Sequence, residues 1–219
     1  MVGAGWVQKL FHRNARVQTS ASGRDWLREA GAIEKQGDWP GLIKHCQEWV
    51  QAEPAYFFAW QSLGDALQLD KQFDSAIQAY GQALELNAKV ASTWCSLAGA
   101  YAAQNQIVEA TKCLQTMESV MRNNKDDPLA DSVTAWVGLA LSYLSLNQPE
   151  RTEQAFQQAE SLTRNHTNEV DNWLTIGLAY RKLGLSDKVA EVYQQVCAID
   201  PALECQGFEE LIAKRFPRS

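Results

Sequence analysis

Tryptophan recurs along this chain at a nearly constant interval, and no other feature constrains the fold as tightly. Trp26, Trp60, Trp94, Trp136 and Trp173 lie 34, 34, 42 and 37 residues apart. A period of this size marks an array of small units, each of which needs its neighbours to cover its apolar face. The residues that follow each tryptophan repeat as well. Three positions on stand Leu63, Leu97, Leu139 and Ile176. The next residue is always small: Ala30, Gly64, Ala98, Ala140 and Gly177. Seven positions on stand Leu67, Tyr101, Tyr143 and Tyr180. Offsets of zero, three, four and seven describe one face of an α-helix.

A second helix follows in each copy. Its seam carries Ala76, Ala110, Thr152 and Val189, then Tyr80, Leu114, Phe156 and Tyr193, then Ala83, Met117, Ala159 and Val196. Large and small side chains alternate, as closely packed antiparallel helices require. Helix pairs are predicted over 24–36 and 39–52, 55–69 and 73–86, 90–104 and 107–122, 128–146 and 149–163, and 169–183 and 187–199. Asp38 with Pro40, Asp127 with Pro128, and Asn147 with Pro149 have the form of helix caps with first-turn prolines. Gly184 reads as a helix stop, Ser186 as the next start, and Pro54 and Pro201 as breakers closing the first and fifth copies.

This pattern resembles the tetratricopeptide repeat, and residues 57–86 are nearly a consensus copy. The resemblance implies an all-α fold, a right-handed α-solenoid of antiparallel helix pairs. Five repeats are expected over 23–56, 57–90, 91–132, 133–169 and 170–201. A basic arm at 1–22 precedes them, and a C-terminal capping helix and tail at 202–219 follow. The first copy departs from the pattern, with Glu29, Cys46 and Trp49 at positions that are apolar, aromatic and small elsewhere. Extra residues fall in 122–131 and in the loop before the fifth copy.

Charge and composition narrow the function. The net charge is −6, which disfavours a phosphate backbone as partner. Residues 1–24 nevertheless carry Lys9, Arg13, Arg16 and Arg24 and no acid. With Trp6, Val7, Leu10 and Phe11 at helical spacing, this arm could cap the array or touch an anionic membrane. No apolar stretch is long enough to span a bilayer, no leader is evident, and the chain reads as cytoplasmic. The five cysteines (46, 95, 113, 197 and 205) include no C-x-x-C pair, so neither a disulfide framework nor a zinc site is expected. His12, His45 and His166 do not converge, and no phosphate loop or nucleophile motif is present. No enzyme activity and no cofactor are expected.

The resemblance further implies that the first helix of each pair lines a concave wall. Helical geometry then puts the wall positions two residues before each tryptophan and one, five and eight after it. The candidate contact residues for a partner are Gln61, Asp65, Cys95, Gly99, Val137, Leu141, Leu144, Leu174, Leu178 and Arg181. Five of these, Val137, Leu141, Leu144, Leu174 and Leu178, are expected to form an apolar strip, covered either by the chain itself or by a docked segment. Family members that hold chaperone tails use a Lys, Asn and Arg clamp; Leu27, Gly31, Ser62, Ser92 and Ser96 stand there instead. The expected function is a non-enzymatic scaffold for an apolar or amphipathic protein segment. The alternatives are a self-associating homodimer, a dedicated chaperone for a secreted or pilus-type substrate, and a membrane tether acting through residues 1–24.

Overall fold

The computed structural model describes residues 25–123, 132–165, 170–203 and 207–215, and every regular element among them is helical. The chain forms two compact units, Met1–Ala130 and Asp131–Ser219. The basic arm, with Trp6, Val7, Leu10 and Phe11, lies outside the described residues, as do the Asp127–Pro128 pair and His166.

The first unit holds three antiparallel pairs: α1 (Trp26–Gln36) with α2 (Trp39–Ala52), α3 (Phe57–Leu69) with α4 (Phe73–Leu86), and α5 (Ala91–Ala103) with α6 (Ile107–Asn123). Within this unit α2 also packs on α3, and α4 on α5. The second unit holds α7 (Val133–Ser145) with α8 (Pro149–Asn165), then α9 (Val170–Lys182) with α10 (Ser186–Ile199). A short 3-10 turn (Pro201–Leu203) and α11 (Phe208–Arg215) complete it.

The repeated seam is the core of each unit. Ala76, Tyr80 and Ala83 are fully buried on α4, as are Ala110 and Met117 on α6 and Ala159 on α8. In the second copy the small residue of the first helix is what admits this seam. A Cβ on Gly64 would sit 2.5 Å from Cε1 of Tyr80, well inside van der Waals contact. The first copy reaches the same density by exchanging volumes. Cys46 is small where other copies are large, and Trp49 fills the space, stacked on Trp26 with ring centroids 6.0 Å apart. Both residues are almost completely buried.

The turns inside the pairs share a backbone device. Eleven residues after each tryptophan the chain enters the left-handed region, at Gly37, Lys71, Asn105, Asn147 and Gly184. The N–H of each donates to a carbonyl three residues back. In the last four copies the following N–H reaches five back: Gln72 to Leu67, Gln106 to Tyr101, Gln148 to Tyr143, and Leu185 to Tyr180. These bonds satisfy the open carbonyls at each first helix's end and turn the chain back.

Two expectations at helix ends are corrected. Asn147 is not an N-cap; with φ at 56° it belongs to the left-handed turn that closes α7. A continuous helix over 128–146 does not form, because Ser132 is extended and caps α7 by accepting from the Ala135 N–H. Ser186 is the first residue of α10, as expected, and Leu185 precedes it as N-cap. Asp38 does cap α2, accepting from the Gly41 N–H with Pro40 in the first turn.

Two stability outcomes follow. Lys71 adopts φ of 62°, a region that costs a side-chain-bearing residue about 1–2 kcal/mol relative to glycine. Lys71→Gly should therefore raise the denaturation midpoint, with a gain of up to about 1 kcal/mol after the added unfolded-state entropy. Gly64→Ala should lower it by about 1–3 kcal/mol, because the fully buried Tyr80 ring must move. Chemical denaturation followed by circular dichroism checks both.

Candidate binding surface

In the first unit, the candidate wall lies on α3 and α5. Gln61, one residue after its tryptophan, does not face solvent. It is only 2% exposed, and its side-chain oxygen accepts a 2.7 Å hydrogen bond from the Thr93 hydroxyl of α5. Cys95, at the same offset, is also buried. Asp65 and Gln68 are half-buried and surround the Tyr80 hydroxyl. That hydroxyl donates to Asp65 Oδ1 at 2.7 Å, and Gln68 Oε1 lies 3.0 Å from it. Burial, and then the Asp65 carboxylate, hold the Tyr80 phenol protonated well above its ordinary range. Gly99 is half-buried and faces the Gln68 side chain. The accessible part of this wall holds Asp65, Gln68, Gly99 and Ala102, with the half-buried Phe58 and Ser92 two residues before their tryptophans.

In the second unit, the candidate wall lies on α7 and α9. Val137 is 1% exposed, Leu141 5% and Leu174 0%. The expected open strip of five aliphatics is therefore corrected, because three of them belong to the core. Offset by one residue from the tryptophan, Val137 and Leu174 match Gln61 and Cys95, and burial is common to all four. Offsets of one, five and eight all fall on one arc of the helix, so direction around the axis does not separate them; what the neighbouring helices cover does, and Leu141, five after its tryptophan, is covered as well. Leu144 at 37% exposure and the half-buried Leu178 and Arg181 remain accessible. Arg181 forms an ion pair with Glu209 of α11.

No chemistry gathers around these side chains. Among the described residues no group of three or more potential metal ligands is found. His45 is buried under Trp26, with Nε2 3.0 Å from the Trp26 carbonyl, from which geometry it acts as the donor. Cys46, Cys95 and Cys113 are buried free thiols, and Cys197 is half-buried. Burial first, and nearby carboxylates second, push Cys46 up to about 12 and Cys113 up to about 11. Neither thiol is a nucleophile near neutrality. No described helix is long and apolar enough to cross a membrane.

What sequence reasoning missed here is α11's hold on α9. The signal was present in Phe208, Leu211 and Ile212 at helical spacing, and in the acids between them, but not the face on which they dock. Sequence also did not separate the offset-one positions from the outward ones, since both fall within one broad arc of the helix.

A profile of the tetratricopeptide repeat matches residues 59–90, 133–166 and 170–203. No curated protein matches the chain in sequence. Several solved structures share the fold. A Podosopora anserina protein of nearly identical TPR-like repeats is 15% identical over 87% of this chain and 100% of that one, with a TM-score of 0.62. MamA from Desulfovibrio magneticus RS-1 is 14% identical over 85% of this chain and 99% of that one, at 0.52. A chain of the APC/C hetero-tetramer Cut9–Hcn1 matches at 17% identity over 90% of this chain and 36% of that one, at 0.55.

A pH dependence follows from the buried thiols. Their folded values lie above 9.0, so the neutral form is favoured in the folded chain. Stability from this source is complete below pH 9 and is lost as pH rises from 9 towards 12, because the unfolded chain then releases protons first. Denaturation midpoints at pH 8 and pH 10.5 should fall in that order, and Cys46→Ala should reduce the difference.

Proposed function

The chain is a tetratricopeptide-repeat protein, and from that premise we propose that it is a non-enzymatic interaction scaffold holding a peptide or helical segment of another protein. Repeats of this kind generally serve as protein-interaction modules. The observation that supports this reading is how the first helices divide their side chains. From the second copy on, positions one after the tryptophan are consumed by packing, while those five and eight after it, Leu141 excepted, stay accessible and differ sharply between copies. Asp65, Gln68, Gly99 and Ala102 offer polar groups beside small residues, which would let a backbone approach closely. Leu144, Leu178 and Arg181 offer aliphatic surface with one cation. The candidate residues Gln61, Cys95, Val137, Leu141 and Leu174 would then act as support beneath the contacts.

Wall variants that leave the core untouched test this. Gly99→Lys meets only the Gln68 amide at ordinary contact distance, and Leu144→Lys replaces an already exposed residue. Affinity capture from the source cell, quantified by mass spectrometry, should retain a specific protein on wild type. Each variant should lose that protein about tenfold or more while keeping its helicity, a change of roughly 1.4 kcal/mol. Identical capture by wild type and both variants would discard the wall as the binding surface.

A further inference from the structure

The fifth repeat departs from the second in one structural detail. In the second repeat, the notch over Gly64 is filled by Tyr80, the repeat's own aromatic, which is completely buried. In the fifth, the equivalent glycine is Gly177 and the equivalent aromatic is Tyr193. Yet the ring over Gly177 is Phe208, from α11. A Cβ on Gly177 would lie 2.6 Å from Phe208 Cζ and 2.9 Å from Val192 Cγ1. Tyr193 stands aside, half-buried, edge-on to Phe208 with centroids 6.5 Å apart, its hydroxyl 3.4 Å from the Leu203 carbonyl.

A side chain from outside the repeat thus takes the place of a core residue. Around it, Leu211 and Ile212 are 3% and 6% exposed, and Glu209 pairs with Arg181. The attachment is otherwise slight. α11 has eight residues, too few to be stable as a helix without packing. Its contacts with α9 are few beside those that bind α9 to α10. Phe208 stays half-buried and Glu209 is 70% exposed.

We propose that α9 and α10 carry a docking site for an amphipathic, acid-bearing helix led by an aromatic residue, and that α11 is its resident, displaceable occupant. The notch selects the aromatic ring. Arg181 selects the acid next to it, and Leu211 and Ile212 mark the aliphatic positions one turn on. Because α11 is tethered, it competes at an effective concentration in the millimolar range, so a free helix of the same pattern enters only when α11 is released. That a partner protein supplies such a helix rests on the scaffold reading above; occupancy by α11 does not.

The probe is a fluorescein-labelled peptide of residues 207–215, followed by anisotropy against the full chain. The Phe208→Ala/Leu211→Ala variant, with its thermal transition retained, should bind the peptide about tenfold tighter than wild type. Adding Gly177→Ala, which fills the notch, should abolish that gain. Glu209→Arg touches only an exposed side chain, so it keeps the fold and should give an intermediate gain. Peptide bearing the same Glu-to-Arg change should prefer the Arg181→Glu chain. No binding to the folded released variants would overturn the proposal. So would equal binding to wild type, or binding that survives Gly177→Ala. Peptide binding with these properties alongside unchanged capture by the wall variants would uphold the α11 site and reject the scaffold wall, so the two readings fail separately.

Discussion

Close approach of a first helix to its second helix is the constraint on which each repeat depends. The tryptophan's own face brings a glycine or alanine four residues on, and the missing side-chain volume there is what lets an aromatic or leucine from the second helix seat itself. Tyr80 over Gly64 shows the contact at its tightest. Alanine at the equivalent position accompanies Leu114 and Phe156, which are also nearly fully buried. A methyl group too many at this point displaces a ring, and in a close-packed interior nothing nearby yields. The rest of the pair, including the left-handed turn that closes it, is arranged so that this contact can form.

The same constraint explains how the first repeat survives its irregular residues. Trp49 would not fit beside a second large side chain, but Cys46 leaves room one turn earlier. Trp26 then stacks on Trp49. Total volume is conserved while its distribution changes, the kind of exchange that cores tolerate. The fifth repeat makes the opposite exchange, taking its ring from α11 and turning Tyr193 outward.

Helix existence and pairing were legible in the residues, because a period of about 34 with internal offsets of three and four admits few other readings. The left-handed turn was legible only at Gly184. Lys71, Asn105 and Asn147 hold the same conformation, but only aligned copies reveal that the eleventh residue after each tryptophan is equivalent, and lysine carries no turn signal of its own. The candidate wall was legible as a helix face and not as a surface. Asp65, Gly99, Leu144, Leu178 and Arg181 are accessible to differing degrees, whereas Gln61, Cys95, Val137, Leu141 and Leu174 are buried. Helical periodicity assigns direction around an axis, and burial depends on what the neighbouring helices cover.

The amino-acid sequence by itself determined the repeat, the helix pairs, the small-against-large seam and the absence of a recognisable catalytic motif. These are properties of local spacing and side-chain size, which a linear chain displays directly. Tertiary structure decided which apolar positions are core and which are accessible. It also decided that Gln61 pairs with Thr93 across two first helices, and that Phe208 occupies a notch 31 residues away at Gly177. Each of these depends on how separate elements meet in space, and distance along the chain carries no record of that.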